Sequence, residues 1–154
     1  MVRRQLLLEL ISSLLIMLFL YASVSKFLDF DRHIHDMSNQ PLPHVLRPLL
    51  IWGIPLLEIA ISIALIFERS RLMGFYASLI LMVLYTIYAG SILLHFFSYV
   101  PCSCGGVIRK LTWGQHLVFN LFFVGLALTG IVLQHKRSKQ NLYSSQKTFS
   151  YEKS

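Results

Sequence analysis

The stretch LMGFYASLILMVLYTIYAGSILLHFF, residues 72–97, decides the fold class, because His95 is its only acid or base. An α-helix needs about 20 consecutive apolar residues to cross the hydrocarbon core of a bilayer, and this stretch exceeds that length. Three further apolar stretches of similar length contain one acid or base each, and they lie at 6–24, 49–67 and 116–133. Together the four stretches predict four transmembrane helices.

The overall composition supports a membrane protein. Hydrophobic residues make up 55% of the chain and charged residues 14%, whereas a soluble domain carries roughly 25% charged residues. The formal net charge is +7, but the basic residues are scattered over loops and tail without forming a continuous face. This distribution argues against nucleic acid as a partner and favours contact with anionic membrane lipid. We therefore predict an all-α integral membrane four-helix bundle.

We predict a single transmembrane domain over residues 1–135, followed by a tail at 136–154. The helices are predicted at about 5–25, 48–67, 72–97 and 112–134. The first helix is longer than the ~7–15 apolar residues of a signal peptide, so we expect it to remain uncleaved. The tail is rich in Ser, Gln, Lys and Asn, a composition that predicts a disordered cytoplasmic segment.

The placement of lysine and arginine predicts the orientation. With both termini in the cytoplasm, seven of these residues lie near the inner helix ends: Arg3, Arg4, Arg69, Arg71, Lys136, Arg137 and Lys139. Five lie in the outer loops: Lys26, Arg32, Arg47, Arg109 and Lys110. Because cytoplasmic loops carry the excess of such residues, we expect both termini to be cytoplasmic in a multi-pass protein of the bacterial inner membrane.

The two cysteines of the chain, Cys102 and Cys104, lie in the sequence PCSCGG at 101–106, which this orientation places on the periplasmic side. Dithiols become disulfides in an oxidising compartment. A Cys-x-Cys bridge closes almost no loop and is strained, so it is a poor structural staple and an easily reduced bond. Gly105 and Gly106 give the adjacent backbone conformational freedom. The pattern favours thiol–disulfide exchange. Two alternatives stay open: the cysteines could bind Cu(I), or they could serve only as small apolar side chains.

Polar residues recur on one face of the predicted fourth helix. Trp113, His116 and Asn120 are spaced i, i+3 and i+7, and Thr112 precedes them as a candidate N-cap. A histidine and an asparagine that continue into the bundle need partners there. The helix N-terminus and His116 would favour a thiolate nearby, which makes His116 a candidate catalytic residue beside the cysteines.

Two other helices carry polar residues toward the same region. The third helix has Tyr88, Ser91 and His95 on one stripe, approaching the outer end. In the second helix, an unpaired Glu58 carboxylate near mid-membrane would cost at least about 2.5–3.5 kcal/mol. We therefore expect Glu58 to face the bundle and to contact a polar group on another helix. Interhelical hydrogen bonding for packing alone is the alternative role for these residues.

The first outer loop contains a possible metal-ligand cluster. His33, His35 and Asp36 are residue types that bind divalent ions. Such residues are also common in any wet loop beside a membrane, and the sequence offers no matched ligand elsewhere. We predict no metal site.

The order of these motifs resembles the MauE family, the methylamine utilisation protein MauE-like, DoxX-related four-helix membrane proteins. The likeness spans about residues 6–133, and it is carried by SKF at 25–27, WGIPLLEIAI at 52–61, PCSCGGVI at 101–108 and LTWGQHLVFN at 111–120. The resemblance implies a redox-associated role in the maturation of periplasmic methylamine dehydrogenase. It further implies Cys102 and Cys104 as the redox pair, with recurrent family positions at Glu58, Trp113, His116 and Asn120.

We therefore expect a component of a thiol–disulfide relay or maturation pathway, with a periplasmic thioredoxin-like protein or client as its partner. Electrons would pass to such a partner or to quinone in the bilayer. Two cysteines alone argue against a self-sufficient oxidase. The alternative is a non-catalytic assembly factor or a Cu(I)-binding membrane protein that uses the cysteines as ligands. Met37 is the only methionine in an outer loop, which argues mildly against copper.

Overall fold

The computed structural model describes residues 2–39, 45–94 and 112–152. Within these ranges the chain forms five α-helices and no strand, and the helices are α1 (Val2–Leu28), α2 (Phe30–Ser38), α3 (Leu46–Ile66), α4 (Arg71–Leu93) and α5 (Trp113–Glu152). Four of them are long and apolar enough to cross a membrane, and these spans are Arg3–Leu28, Leu46–Ile66, Arg71–Leu93 and Trp113–Ser138. The predicted all-α class with four transmembrane helices is confirmed.

The structure contains one helix that the sequence analysis did not predict. The short helix α2 occupies the first outer loop and buries His33, Asp36 and Met37, which are spaced i, i+3 and i+4 on one face. That spacing is the pattern of an amphipathic helix lying on a neighbour. Residues Phe30–Ser38 of this predicted loop therefore form a helix that packs against the bundle.

The last helix is longer than expected. Helix α5 continues to Glu152, through the segment 136–152 for which the sequence analysis predicts disorder. The physical reason lies in the residue types. No proline or glycine follows Gly130, and the tail contains lysine and glutamine, which are good helix formers. Nothing in the local sequence ends the helix where the apolar stretch ends.

Two helix pairs build the core. Helix α1 packs against α3, and α4 packs against α5. The most completely buried apolar side chains come from these faces and are Leu8, Leu15, Phe19, Leu65, Phe75 and Ala127. Gly130 allows α5 to approach α4 closely, since a Cβ atom at this position would overlap the Phe75 ring. Many large apolar side chains on the outer surfaces remain exposed, as expected for helices surrounded by lipid.

The turn between α3 and α4 closes one end of the bundle. Arg71 Nε donates to the Leu65 carbonyl oxygen at 3.2 Å, and Ser70 Oγ donates to the Ala64 carbonyl oxygen at 3.0 Å. These contacts satisfy carbonyl groups that the end of α3 leaves without helical partners. The opposite end, where α2 lies and where α4 ends and α5 begins, contains a group of polar side chains that line a cavity.

Candidate functional site

A buried ion pair joins α1 to α3. Lys26 Nζ donates to Glu58 Oε1 at 2.5 Å, and the side chains of the two residues are 5% and 0% exposed. The Tyr85 hydroxyl of α4 donates to the same carboxylate oxygen at 2.9 Å. Glu58 therefore connects three helices, and the expectation that it faces the bundle and contacts another helix is confirmed.

Pro55 shapes the helix one turn before Glu58. A proline has no N–H, so the carbonyl oxygen four residues earlier loses its helical partner. That oxygen belongs to Ile51, and His33 Nε2 lies 3.2 Å from it. Because the partner is a carbonyl, Nε2 is the nitrogen that carries the proton and donates. Ser23 Oγ also donates to the Pro55 carbonyl at 3.2 Å, so α1 and α2 both attach to α3 here.

Burial gives this histidine an unusual electrostatic environment. His33 is 3% exposed, and its buried Nδ1 has no hydrogen-bond partner within the described part of the chain. Desolvation by burial is the largest effect and lowers the pKa of His33 below its ordinary 6.5. The hydrogen bond to the Ile51 carbonyl opposes this effect, the positive charge of Lys26 lowers the pKa further, and Asp36 raises it. Burial therefore favours the neutral form of the imidazole, which donates to Ile51.

The buried pair lies in the wall of a cavity. The cavity has a volume of about 390 Å³, within the range of roughly 300–1,000 Å³ that is usual for small-molecule sites. Its walls come from α1 to α5 and are mainly apolar. The polar and aromatic residues that line it are Phe19, Lys26, Glu58, Tyr85, Tyr88, Trp113, His116, Phe119 and Asn120.

The first turns of α5 present their predicted face to this cavity. The Thr112 backbone N–H donates to Gln115 Oε1 at 2.8 Å and Gln115 N–H donates to Thr112 Oγ1 at 3.4 Å, a capping box that confirms the expected N-cap. Trp113, His116 and Asn120 all line the cavity, so their shared face is also confirmed. The ring of Trp113 lies 5.7 Å from that of His116, between centroids.

Of the predicted stripe Tyr88, Ser91 and His95, Tyr88 on α4 lines the same cavity. The Tyr88 ring lies 6.5 Å from the Trp113 ring, in an edge-to-face arrangement. The Ser91 hydroxyl donates to the Tyr88 carbonyl within its own helix, so it serves α4 rather than a neighbouring helix. His95, the third residue of the stripe, lies outside the described residues.

Four other predicted site residues also fall in the connection 95–111, which is outside the described ranges: Cys102, Cys104, Gly105 and Gly106. Their role and position stay predictions. The described residues that flank this connection, Leu94 and Thr112, lie at the end of the bundle that contains the cavity.

The residues of the possible metal cluster point in different directions. His33 is buried against Ile51, whereas the His35 side chain is 76% exposed and its Nδ1 lies 3.9 Å from Asp36 Oδ1. Among the described residues, no group of three His, Cys, Asp or Glu side chains is arranged to hold a metal ion. Met37, which counted as an outer-loop methionine, is 8% exposed and contributes to the cavity wall.

Two residues of the site escaped the sequence analysis. Lys26 lies inside α1, although it was counted among the outer-loop charges. Tyr85 lies one helical turn before Tyr88, and was not singled out. A signal for both existed in Glu58, because a carboxyl group inside an apolar helix requires a cation or a hydrogen-bond donor on a neighbouring helix.

The comparisons with known proteins agree with this architecture. No curated protein and no solved structure matches the chain. Residues 4–133 match the family described as Methylamine utilisation protein MauE. This match covers most of all four membrane-spanning helices, including the Lys26–Glu58 pair and the cavity-lining face of α5. The chain is therefore a multi-pass membrane protein that belongs to the MauE family.

Proposed function

We propose that the protein is a membrane component of a thiol–disulfide relay that matures periplasmic proteins, with Cys102 and Cys104 as the exchanging pair. Its place is the bacterial inner membrane, with both termini in the cytoplasm. The family description connects the chain to methylamine utilisation, and the proposed clients are periplasmic proteins of that process that require disulfide bonds.

One observation carries this proposal. The connection that contains both cysteines joins α4 to α5 at the end of the bundle where ionisable and aromatic side chains surround a cavity. Glu58 and His116 are buried there at 0% and 3% exposure. Buried ionisable groups inside a membrane protein are rare and typically mark pathways for protons or substrates. Disulfide exchange takes up and releases thiol protons, so proton-handling groups at this end of the bundle support the proposal.

The proposed exchange is balanced in electrons and protons. A thiolate of the client attacks one sulfur of the Cys102–Cys104 disulfide and forms a mixed disulfide, with the other sulfur leaving as a thiolate. The second thiol of the client then attacks the client sulfur of the mixed disulfide. The client leaves with a new disulfide, and the pair keeps two electrons and two protons. A thioredoxin-like protein or a quinone must then reoxidise the pair.

Alkylation of the cysteines in membranes tests the proposal. We expect a mass shift for two free thiols after quinone depletion, and a mostly unlabelled, disulfide-bonded pair in replete cells. Membrane-impermeant maleimide should label both cysteines in intact cells after mild reduction, since they face the periplasm. The Cys102→Ser variant is the matched control, because Cys104 then lacks an intramolecular partner. No Cys102–Cys104 disulfide can form, so the quinone-dependent mass shift should disappear, and Cys104 should be found in mixed disulfides with clients.

Two outcomes would contradict this function. Thiols that stay reduced in replete cells would exclude exchange, and labelling only after lysis would overturn the orientation. Stoichiometric Cu(I) binding by the reduced pair, together with the absence of mixed disulfides in the Cys102→Ser variant, would favour the alternative of a copper-binding assembly factor.

A further inference from the structure

The cavity contains a buried carboxylate oxygen without a hydrogen-bond partner. Glu58 Oε1 accepts from Lys26 and Tyr85, whereas Glu58 Oε2 is buried and has no hydrogen-bond partner among the described residues. An unsatisfied acceptor inside a protein is unfavourable, and such an atom is commonly explained by a ligand or a water. Lys26 Nζ carries three N–H donors, and Glu58 is the acceptor that it contacts. The pair can therefore both donate to a ligand and accept from it.

The charge of this pair selects for a neutral ligand. Whichever of the two residues holds the shared proton, Lys26 and Glu58 together carry no net charge. Among the described residues that line the cavity, Lys26 is the only lysine or arginine. A phosphate or carboxylate ligand would meet the Glu58 carboxylate without a second cation from these residues, which is unfavourable in a low-dielectric site.

The walls of the cavity suit a flat ring. Tyr88, Trp113 and His116 form an aromatic side, with Trp113 near both of the other rings. Aromatic side chains pack well against planar groups in offset or edge-to-face arrangements. The remaining lining is mostly aliphatic, so the site combines an apolar ring pocket with one localised polar pair.

The cavity also reaches the lipid-facing surface. Leu57 of α3 and Leu84 of α4 line it, yet they are 46% and 56% exposed. Both residues lie within membrane-spanning helices, so their exposed atoms contact lipid. A ligand can therefore enter between α3 and α4 from the bilayer, which requires a lipid-soluble molecule.

We propose that this cavity binds the ring of a membrane quinone, with Lys26 donating to a ring carbonyl oxygen of the quinone and Glu58 Oε2 accepting from a ring hydroxyl of the quinol. A quinone is neutral, planar and lipid-soluble, and its two redox states present an acceptor and a donor at the same ring position. Lys26 supplies the donor for the quinone, and Glu58 supplies the acceptor for the quinol. The hydrocarbon tail extends between α3 and α4 into the lipid.

The redox consequence of this binding site rests on the proposed function. Two cysteine thiols and one quinone would give one disulfide and one quinol, with two electrons and two protons passing to the ring oxygens. The Lys26–Glu58 pair holds the ring and can pass a proton to the oxygen that it contacts. Binding of the ring itself does not depend on the cysteines, so the two proposals can be tested separately.

Tryptophan fluorescence measures the binding directly. The protein has two tryptophans, of which Trp113 lines the cavity and Trp52 is 53% exposed beside Phe30. The full-length Trp52→Phe variant, placed in lipid nanodiscs, reports Trp113 alone. We expect decyl-benzoquinone to quench this signal with saturation as the quinone-to-lipid ratio rises. The Trp113→Phe variant reports Trp52 and should show only linear, collisional quenching.

Substitutions in the Trp52→Phe background test the contacts. The double variant Lys26→Met/Glu58→Leu removes both polar groups without leaving a lone charge, and its affinity should fall by about tenfold or more, the effect of losing one charged hydrogen bond. Ala89→Leu keeps the ion pair but adds volume to the cavity wall, and it should also abolish saturation. Met17→Leu, at a side chain that is 71% exposed, is the matched control and should bind like the parent.

The results separate the two proposals. Saturable quenching that persists in the Cys102→Ser/Cys104→Ser variant supports the quinone site, even if the thiols prove to be inert. Thiol exchange without saturable quenching in the Trp52→Phe variant would overturn the quinone site alone. Equal competition by decylbenzene, which has the same tail and no carbonyl oxygen, would show a pocket for acyl chains and would also overturn it.

Discussion

Lys26 Nζ lies 2.5 Å from Glu58 Oε1, and neither side chain has more than 5% of its surface exposed. The pair connects the last turns of α1 to the middle of α3, and Tyr85 extends the contact to α4. The same two residues thus hold three helices together and form the polar part of the cavity. A structural role and a ligand-binding role make different demands on them, and substitutions can distinguish the two.

The first prediction concerns the stability of this pair. Lys26→Met leaves the Glu58 carboxylate buried without its cation, and we expect it to lower the free energy of unfolding by about 3–5 kcal/mol. The double variant Lys26→Met/Glu58→Leu should recover most of this loss, because both charges are then absent. Thermal unfolding in detergent measures both. Lys136→Met, the same change at an exposed position, should stay within about 0.5 kcal/mol of the parent.

If the double variant is as unstable as Lys26→Met, the pair does more than neutralise a buried charge. The cost would then come from lost packing of the long lysine side chain, and Lys26→Met would be explained by volume and shape rather than by electrostatics.

The second prediction concerns the contact between α4 and α5. A methyl group at Gly130 would overlap the Phe75 ring, which is fully buried and cannot move without disturbing the core. Gly130→Ala should therefore destabilise the protein by about 1–3 kcal/mol, the usual cost of overpacking. Gly125 lies on the same helix, and a Cβ atom added there would meet open space, so Gly125→Ala should be neutral or slightly stabilising.

Thermal unfolding of the two alanine variants tests this contrast. The double change Gly130→Ala/Phe75→Leu should regain part of the lost stability, since the smaller side chain vacates the space that the new methyl group needs. Equal stability of the two single variants would show that the helices do not approach each other closely at Gly130.

The third prediction concerns pH and the attachment of α2. Burial lowers the pKa of His33, so the unfolded or detached form binds a proton more readily than the packed form. Stability from this contact is fully present above the ordinary pKa of about 6.5 and is lost as pH falls through the lower value of the packed state. We expect the backbone amides of α2 to lose hydrogen-exchange protection as the pH falls below about 6.5, after correction for intrinsic rates.

The His33→Gln variant removes the titrating group but keeps a side-chain donor for the Ile51 carbonyl, and its α2 protection should depend less on pH. His35→Gln changes the exposed histidine of the same helix and serves as the control, with the pH dependence of the parent retained. A pH dependence that survives in His33→Gln would mean that a group other than His33 controls the attachment.

The membrane fold could be predicted from length and hydropathy alone, because a spanning helix satisfies its own backbone and needs no knowledge of its neighbours. The site required more than that. Lys26 lies near a helix end, where lysines commonly extend toward the membrane surface, and its local sequence does not distinguish that behaviour from an inward ion pair. Only the three-dimensional placement of Glu58 and Tyr85 makes the inward direction favourable.

Helix α2 illustrates the same limit. Its nine residues are mostly polar and contain two histidines and two aspartates, a composition that is typical of a solvent-exposed loop. The helix depends on the Ile51 carbonyl that Pro55 leaves without a partner, and on the apolar surface that accepts Met37. Both lie far along the chain from α2. Conversely, the face formed by Trp113, His116 and Asn120 was predictable, because helical spacing alone brings these residues together.

The last prediction joins the described site to the cysteines. His116 is 3% exposed in the first turns of α5, on the wall of the cavity and close to the Trp113 ring. A helix N-terminus and an imidazole near a thiol both favour the thiolate, so the pKa of the more reactive cysteine should lie below the free value of about 8.5. His116→Ala should slow alkylation of the reduced protein at pH 7 by about three- to tenfold and shift the rate profile to higher pH.

The measurement is the alkylation rate of the reduced pair against pH, in the parent and in two histidine variants. His135→Ala is the matched control, because this histidine belongs to the same helix but contacts Tyr76 at the opposite end of the bundle. Its profile should coincide with that of the parent. A parent profile centred at the free-thiol value and unchanged in His116→Ala would separate the cysteines from the cavity. A low thiol pKa would then have to come from residues of the connecting segment itself. Arg109 and Lys110 are the next candidates for substitution.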